Sequence, residues 1–188
     1  MNGPRPGRPG RRRLFFALWP EPALRRALDR ATADAASRAA GNRMPAANLH
    51  VTLAFLGLVP EGGVPDILAI GHRGRWPRVQ LDFDRVEYWP KPRVLVAMPV
   101  AVPEAGIRIV ASLWESLERL GFEREARPWQ PHLTIVRKVS RPPPRGEELP
   151  IPRHPVRDGF AWKLALVESV TDPAGARYTP LARWPLDH

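Results

Sequence analysis

The sequence contains no cysteine. This absence excludes a disulfide framework, a catalytic thiolate and a zinc site built on sulfur ligands. It fits a protein of the cytoplasm, and we expect that location. With 188 residues, the chain is long enough to bury a core without covalent cross-links, so one compact domain is the expected organisation.

Long apolar segments are also lacking. No apolar run approaches the roughly 18 residues that a membrane-spanning helix needs, so we expect no membrane partner. Residues 14–19 follow three arginines and resemble a short signal peptide, but Pro20, Glu21 and Pro22 come next, where a small-residue cleavage site would stand. We therefore expect a disordered basic tail over residues 1–12, followed by a buried strand.

Lysine is scarce, because 26 of the 29 basic residues are arginine, and the formal net charge is +10. A chain rich in Arg, Pro and Ala can also result from genomic base composition, so charge carries only part of the argument. The remainder favours an anionic partner, since guanidinium groups donate paired hydrogen bonds to phosphate oxygens and a positive surface attracts polyanions. Charge alone does not separate nucleic acid from a small phosphate ester.

The periodicity of apolar residues predicts a mixture of strands and helices. Helices are expected over 22–40, 64–70 and 104–120, with a turn at Gly41 and Asn42, and Gly121 ends the third helix. The third helix is expected to bury Ile107, Val110, Leu113, Trp114, Leu117 and Leu120. Strands are expected over 13–19, 48–56, 79–88, 93–99, 131–136, 160–170 and 176–184, with Gly57 ending the second strand and a long loop over 139–158.

One order of elements occurs twice: a strand, a helix, a strand carrying His-x-Thr, and a further strand. The first strand precedes its histidine by 36 residues in one half (14 to 50) and by 38 in the other (94 to 132). The histidine precedes the next strand by 29 residues in both halves (50 to 79 and 132 to 161). The repeat predicts an α+β fold over residues 13–188, in which two pseudo-twofold-related lobes, each an antiparallel sheet with outer helices, enclose a central groove.

Each lobe contributes one imidazole and one hydroxyl to that groove. Residues two apart on a strand point to the same face, so His50 projects with Thr52, and His132 projects with Thr134. The alternate residues are expected to face the core: Val51, Leu53, Leu133 and Ile135.

This arrangement suits hydrolysis of a cyclic phosphodiester, in which one group takes a proton from water and another gives a proton to the departing ribose oxygen. An ordinary pKa of about 6.5 lets imidazole fill either role and predicts a pH optimum between about 5 and 8. The threonine hydroxyls can donate hydrogen bonds to the phosphate oxygens. A single buried histidine is more often a core residue, but two His-x-Thr strands at equivalent places in a repeat are hard to explain by packing.

A metal centre is not expected, and neither is a cofactor. A metal site needs three or more ligands, and neither motif has a second histidine or a carboxylate nearby on the same face. The other histidines lie in Arg-rich, Pro-rich or terminal contexts and receive no role: His72, His154 and His188.

Four segments together resemble the 2H phosphoesterase superfamily, and specifically its RNA 2′,3′-cyclic phosphodiesterase family, long labelled bacterial 2′-5′ RNA ligase. The resemblance covers nearly the whole chain from Arg13 onward. Val136 and Trp129 depart mildly from the family pattern. The segments are Arg13-Leu14-Phe15-Phe16-Ala17-Leu18, residues 48–57, Pro92-Arg93-Val94-Leu95, and residues 127–137 with their trailing arginine.

The resemblance implies that His50 donates a proton to the leaving 3′ oxygen and that His132 accepts one from water, which yields a 2′-phosphate end. The residues alone leave these two roles exchangeable. Thr52 and Thr134 are expected to bind the substrate. Arg137 is also a candidate phosphate ligand, but on an ideal strand it lies on the face opposite His132, so it reaches phosphate only if the strand ends there.

Three other functions are compatible with the sequence: ligation of RNA ends through a 2′-5′ linkage, hydrolysis of a small cyclic nucleotide, and RNA binding without catalysis. Phe15, Phe16 and Trp89 are candidates for stacking on a base. The expected partners are RNA ends or small cyclic nucleotide phosphates, and the expected oligomeric state is a monomer.

Overall fold

The structure, a computed structural model, describes residues 10–143, 161–172 and 175–186. The strands are β1 (Arg11–Pro20), β2 (Ala40–Arg43), β3 (Val51–Pro60), β4 (Phe83–Trp89), β5 (Val94–Pro99), β6 (Leu133–Arg141), β7 (Trp162–Asp172) and β8 (Gly175–Trp184). The helices are α1 (Pro22–Ala31), α2 (Ala33–Ser37), α3 (Val64–Arg73) and α4 (Glu104–Arg119), and short 3₁₀ turns occupy Ala46–Asn48 and Glu61–Gly63.

The strands form two four-stranded sheets with the orders β3-β1-β7-β8 and β2-β6-β5-β4. All neighbouring strands are antiparallel. One apolar cluster joins residues of both sheets to the buried faces of α1, α3 and α4, as Leu14, Leu28, Ile67, Leu95 and Leu113 illustrate. The predicted α+β fold with antiparallel sheets and helices is therefore confirmed.

The two halves of the chain exchange strands. β4 follows the first motif strand in sequence, yet it pairs with β5, which opens the second half. β7 follows the second motif strand, yet it pairs with β1. β2 likewise comes from the first half and pairs with β6. Each sheet is thus built from both halves of the repeat.

The segment predicted as one helix over 22–40 is instead two helices and the start of a strand. Thr32 lies between α1 and α2, where its hydroxyl donates a 2.9 Å hydrogen bond to the Leu28 carbonyl, a side-chain bond that disfavours regular helix. The predicted turn at Gly41 and Asn42 is wrong, because both belong to β2. A Cβ at Gly41 would lie 2.7 Å from Val136 Cγ1, so glycine allows β2 to approach β6 closely.

The first motif strand differs from its prediction at both ends. Asn48 lies in a 3₁₀ turn, β3 begins at Val51, and the strand continues through Gly57 to Pro60. Gly57 does not end the strand. It has a φ of 71° at an irregularity in the pairing with β1, a conformation that glycine adopts without steric cost.

Helix α4 buries a partly different set of residues from the predicted one, since Ile109 is buried and Val110 is only half-buried. Ile109, Leu113, Trp114 and Leu117 are buried, but Ile107 is 50% exposed and Leu120 is 43% exposed. The buried set follows the i, i+4 row that packs on the core, and Ile107 lies beyond the edge of that row. Leu120 is exposed because it is the C-cap residue, past the last residue of the helix. Gly121 ends the helix as predicted, with a φ of 86°.

The remaining boundaries shift by a few residues. β1 begins at Arg11, inside the predicted tail, and Arg12 forms an ion pair of 2.7 Å with Glu168 on β7. Residues 1–9 of that tail lie outside the described residues. β6 extends through Arg141 into the predicted loop, and residues 144–158 also lie outside the described part. β4 begins at Phe83 rather than at 79, and α3 extends to Arg73.

None of the helices in the described ranges combines the length and apolar character that crossing a membrane requires.

Candidate active site

The two motif histidines hold equivalent positions, each directly before its strand. His50 Nδ1 lies 2.6 Å from the Asn48 carbonyl oxygen, and His132 Nδ1 lies 2.9 Å from the Gln130 carbonyl oxygen. A carbonyl oxygen only accepts hydrogen bonds, so Nδ1 of each neutral ring carries the hydrogen. Nε2 is consequently the nitrogen with a free lone pair in both rings. Each Nε2 can therefore accept a proton or, once charged, donate one.

The loops that precede the histidines are anchored to distant elements. The Asn48 side-chain amide donates a 2.9 Å hydrogen bond to the Ala176 carbonyl on β8. The Trp129 indole N–H donates a 2.8 Å hydrogen bond to the Thr52 carbonyl on β3, so the second loop is fastened to the first motif strand. The Trp129 ring packs on α4 at Gly106, where a Cβ would approach it to 2.5 Å. Trp129 therefore provides a hydrogen bond that phenylalanine lacks.

Each motif strand contains a β-bulge three residues after its histidine. Thr52 pairs with Ala17 and Ala54 pairs with Phe16, so Leu53 is the extra residue of β3. Thr134 pairs with Val96 and Val136 pairs with Leu95, so Ile135 is the extra residue of β6. A bulge resets the alternation of side chains along a strand, because two residues oppose one. The fifth residue after each histidine therefore returns to the face that carries the histidine.

Arg137 reaches the groove because of this bulge. The expectation that it could do so only at the end of the strand is wrong, since β6 continues to Arg141. The Arg137 guanidinium carbon lies 5.9 Å from the centre of the Tyr178 ring, and that ring lies 5.0 Å from the His50 ring. Although Arg137 belongs to the second motif, these distances place it close to the histidine of the first motif.

Thr52 and Thr134 are half-buried. Neither hydroxyl is hydrogen-bonded to another group within the described ranges, so both can bind a ligand. The residues expected to face the core do so, with exposures of 4% or less: Val51, Leu53, Leu133 and Ile135.

Three aromatic rings lie beside the His50 imidazole, and one lies beside that of His132. The centre of the His50 ring lies 5.0 Å from Phe15, 5.8 Å from Trp19 and 5.0 Å from Tyr178. The His132 ring lies 4.5 Å from Trp89. Of the rings proposed to stack on a base, Phe16 is excluded, because it is 0% exposed within the main core.

Tyr178 was not identified from the sequence. It lies on β8 and reaches His50 only because β8 pairs with β7 and β7 pairs with β1. No local pattern around residue 178 contains that information. The sequence shows only that Tyr178 lies on a predicted strand, and many other residues share that property.

Both histidines are electrostatically biased toward the neutral form. The pKa of His50 is lowered to about 4, mainly by burial; the Asn48 hydrogen bond opposes this shift, and the charges of Arg137 and His132 contribute to it. Burial and the charge of Arg137 also lower the pKa of His132, with the Gln130 hydrogen bond acting in the opposite direction. Both free imidazoles are therefore mainly neutral at pH 7.

In the described part of the chain, no three His, Asp or Glu side chains converge as metal ligands would. His72 lies on α3, where its Nδ1 accepts a 3.3 Å hydrogen bond from the Trp184 indole. His154 and His188 lie outside the described residues.

Comparisons with known proteins identify a family and several relatives of this chain. The model of the 2′-5′ RNA ligase superfamily matches residues 20–150. A protein of Escherichia coli named RNA 2′,3′-cyclic phosphodiesterase is 31% identical over 93% of this chain and 96% of its own. A protein of the same name from Thermus thermophilus is 34% identical over 93% of this chain and 90% of its own. The crystal structure of E. coli LigT complexed with 3′-AMP superposes with a TM-score of 0.76 at 29% identity, covering 95% of this chain and 100% of LigT.

Proposed function

This chain belongs to the 2′-5′ RNA ligase superfamily, and we propose that it hydrolyses the 2′,3′-cyclic phosphate at RNA ends with His50 and His132 as its acid and base. The relatives that match nearly its whole length are named for that phosphodiesterase activity. The observation that carries the mechanism is the repeated Nδ1–carbonyl hydrogen bond, which leaves Nε2 free in two imidazoles that are close enough to influence each other electrostatically.

In the proposed reaction, water attacks phosphorus while His132 Nε2 removes one of its protons. The bond between phosphorus and the 3′ oxygen breaks, and His50 Nε2 donates a proton to that oxygen. The products are a 2′-phosphate and a 3′-hydroxyl, and the proton balance is closed because one imidazole gains the proton that the other loses. Thr52, Thr134 and Arg137 hold the nonbridging oxygens by hydrogen bonds and charge.

Substrate binding provides the charged imidazole that this scheme needs. The free pair is mainly neutral at pH 7, but a cyclic phosphate carries a negative charge that favours the protonated ring beside it. Donation by His50 requires that His50 holds the proton in the reacting complex, and a bound phosphate beside it raises its pKa and so favours that state. The proton taken up with the substrate is then on His50 Nε2, next to the leaving 3′ oxygen.

The test is turnover of an RNA that ends in a 2′,3′-cyclic phosphate, measured in the presence of EDTA with the position of the product phosphate mapped. We expect His50→Ala and His132→Ala each to reduce kcat by about 10² to 10⁴-fold, the usual contribution of a general acid or base. His72→Ala is the matched control, because it removes a histidine outside the groove. Near wild-type turnover by either groove variant would refute the two-histidine mechanism.

A second substrate separates the two roles. If the 3′ oxygen of the cyclic phosphate is replaced by sulfur, the leaving thiolate needs no protonation, so loss of the general acid costs little. His50→Ala should then recover most of its lost rate, whereas His132→Ala should remain slow. Recovery by His132→Ala instead would exchange the two assignments.

A further inference from the structure

An exposed aromatic ring extends the aromatic row beside His50 toward the outside of the groove. Phe55 is the fifth residue after His50 and so holds, in the first half, the place of Arg137 in the second. It pairs directly with Phe15, whose ring lies 5.0 Å from the His50 ring. Directly paired residues have their Cβ atoms about 5 Å apart. His50, Phe15 and Phe55 therefore follow one another outward on a single face of the sheet.

The exposure of these rings changes along the row. Phe15 is 3% exposed, whereas Phe55 is 37% exposed. A ring that is open to solvent at the end of a row leading from the histidines can stack on a base, as aromatic rings do in proteins that bind single strands.

Arg13 covers this ring. The Arg13 guanidinium carbon lies 4.8 Å from the centre of Phe55, and the Arg13 side chain is exposed. Arg13 has no ion-pair partner within the described residues, in contrast to Arg12, which is bound to Glu168. A free guanidinium beside an exposed ring can donate to a phosphate while the ring stacks on the adjoining base.

We propose that Arg13 and Phe55 bind the nucleotide that precedes the cyclic-phosphate terminus of the RNA. Its base stacks on Phe55, and Arg13 donates hydrogen bonds to the phosphate that links it to the terminal nucleotide. Phe55 is one paired position farther from His50 than Phe15, so the preceding nucleotide reaches it while the reacting phosphate lies at the histidines. This inference rests on the proposed function and makes the enzyme select RNA strands over mononucleotides.

The test compares kcat/KM for a dinucleotide ending in a 2′,3′-cyclic phosphate with that for a mononucleoside 2′,3′-cyclic phosphate. Phe55→Leu should lower the ratio of dinucleotide to mononucleotide by about fivefold or more, the loss of one stacked base, and Phe55→Tyr should keep it. Arg13→Ala should lower the same ratio and make the dependence of dinucleotide log(kcat/KM) on log[salt] shallower by about 0.7, the contribution of one phosphate contact.

Arg26→Ala is the matched control. It removes the same charge from an exposed residue of α1, a helix whose buried residues pack on the other face of the sheet, so the substrate ratio should not change. Arg13→Ala is expected to fold normally, because it shortens an exposed side chain, so it still tests the inference if Phe55→Leu misfolds.

Two results would overturn the inference: an unchanged ratio in Phe55→Leu and Arg13→Ala, or equal losses on both substrates, which would assign these residues to the terminal nucleotide or to the scaffold. Failure of the wild-type protein to hydrolyse either substrate would refute the proposed function instead.

Discussion

At the scale of single residues, Arg137 connects the two histidines that we propose as acid and base, because its charge acts on both. His50, Thr52, His132 and Thr134 are identified by a pattern that repeats along the chain, and the pattern needs no knowledge of pairing. Arg137 follows the second motif in the sequence, but its face depends on the bulge at Ile135, which exists only when β6 pairs with β5. The prediction from ideal strand alternation therefore placed Arg137 on the face opposite His132, which is wrong.

The position of Arg137 predicts a measurable change in both imidazoles. Its positive charge lowers the pKa of His50 and of His132, so Arg137→Ala should raise the pKa of both rings in an NMR titration. The same variant should lower kcat/KM, because a phosphate ligand is lost. Lys138→Ala removes an equal charge from the next residue and should leave both titrations unchanged. If the pKa of each imidazole were the same in Arg137→Ala as in the wild type, Arg137 would not face the groove.

At the scale of elements, the structure shows a bulge after each motif histidine where periodicity predicts plain alternation. Seven of the strands in the described ranges are predicted to within a few residues, because they carry buried apolar residues, whereas β2 was missed because its residues are mostly exposed. Bulges were missed because an extra residue in one strand is defined by its partner strand. The buried pairs Leu53 with Ala54 and Ile135 with Val136 interrupt the alternation, and this is the trace that the bulges leave in the sequence.

The Trp129 anchor predicts a change in both stability and rate. Trp129→Phe keeps an aromatic ring against Gly106 but removes the hydrogen bond to the Thr52 carbonyl. We expect a loss of about 1 kcal/mol in the free energy of unfolding, the usual net value of one hydrogen bond, measured by urea denaturation. We also expect kcat to fall more than KM rises, because this bond fixes the loop of His132 relative to the first motif. A variant with unchanged kcat would limit Trp129 to a packing role.

At the scale of the whole molecule, the repeat predicted two lobes but not the exchange of strands between them. Sequence spacing places β4 with the first half and β7 with the second, whereas pairing places each in the sheet of the other half. The spacing of elements along the chain shows their order, but it does not show which sheet edge each strand joins. The exchange joins residues distant in sequence, as the pairing of Phe16 with Leu166 illustrates.

Strand exchange predicts that the two halves fold together. Removal of either half would leave β1 or β5 without one of its two neighbours, so we propose that residues 13–188 form one cooperative unit. Urea unfolding should give a single transition that coincides for circular dichroism and tryptophan fluorescence, and a fragment ending after β4 should not fold. Two separate transitions would show that the lobes are independent domains.

The pH dependence of the rate in excess EDTA tests the two-histidine account most directly. The active form carries one proton on the pair, so both kcat and kcat/KM should fall on each side of an optimum. Because burial lowers the pKa of both histidines, the kcat/KM optimum should lie between pH about 4 and about 6.5, and the kcat optimum should lie higher, since bound phosphate favours the charged ring. A rate that rises steadily to high pH, or activity lost in EDTA and restored by a divalent ion, would contradict the account.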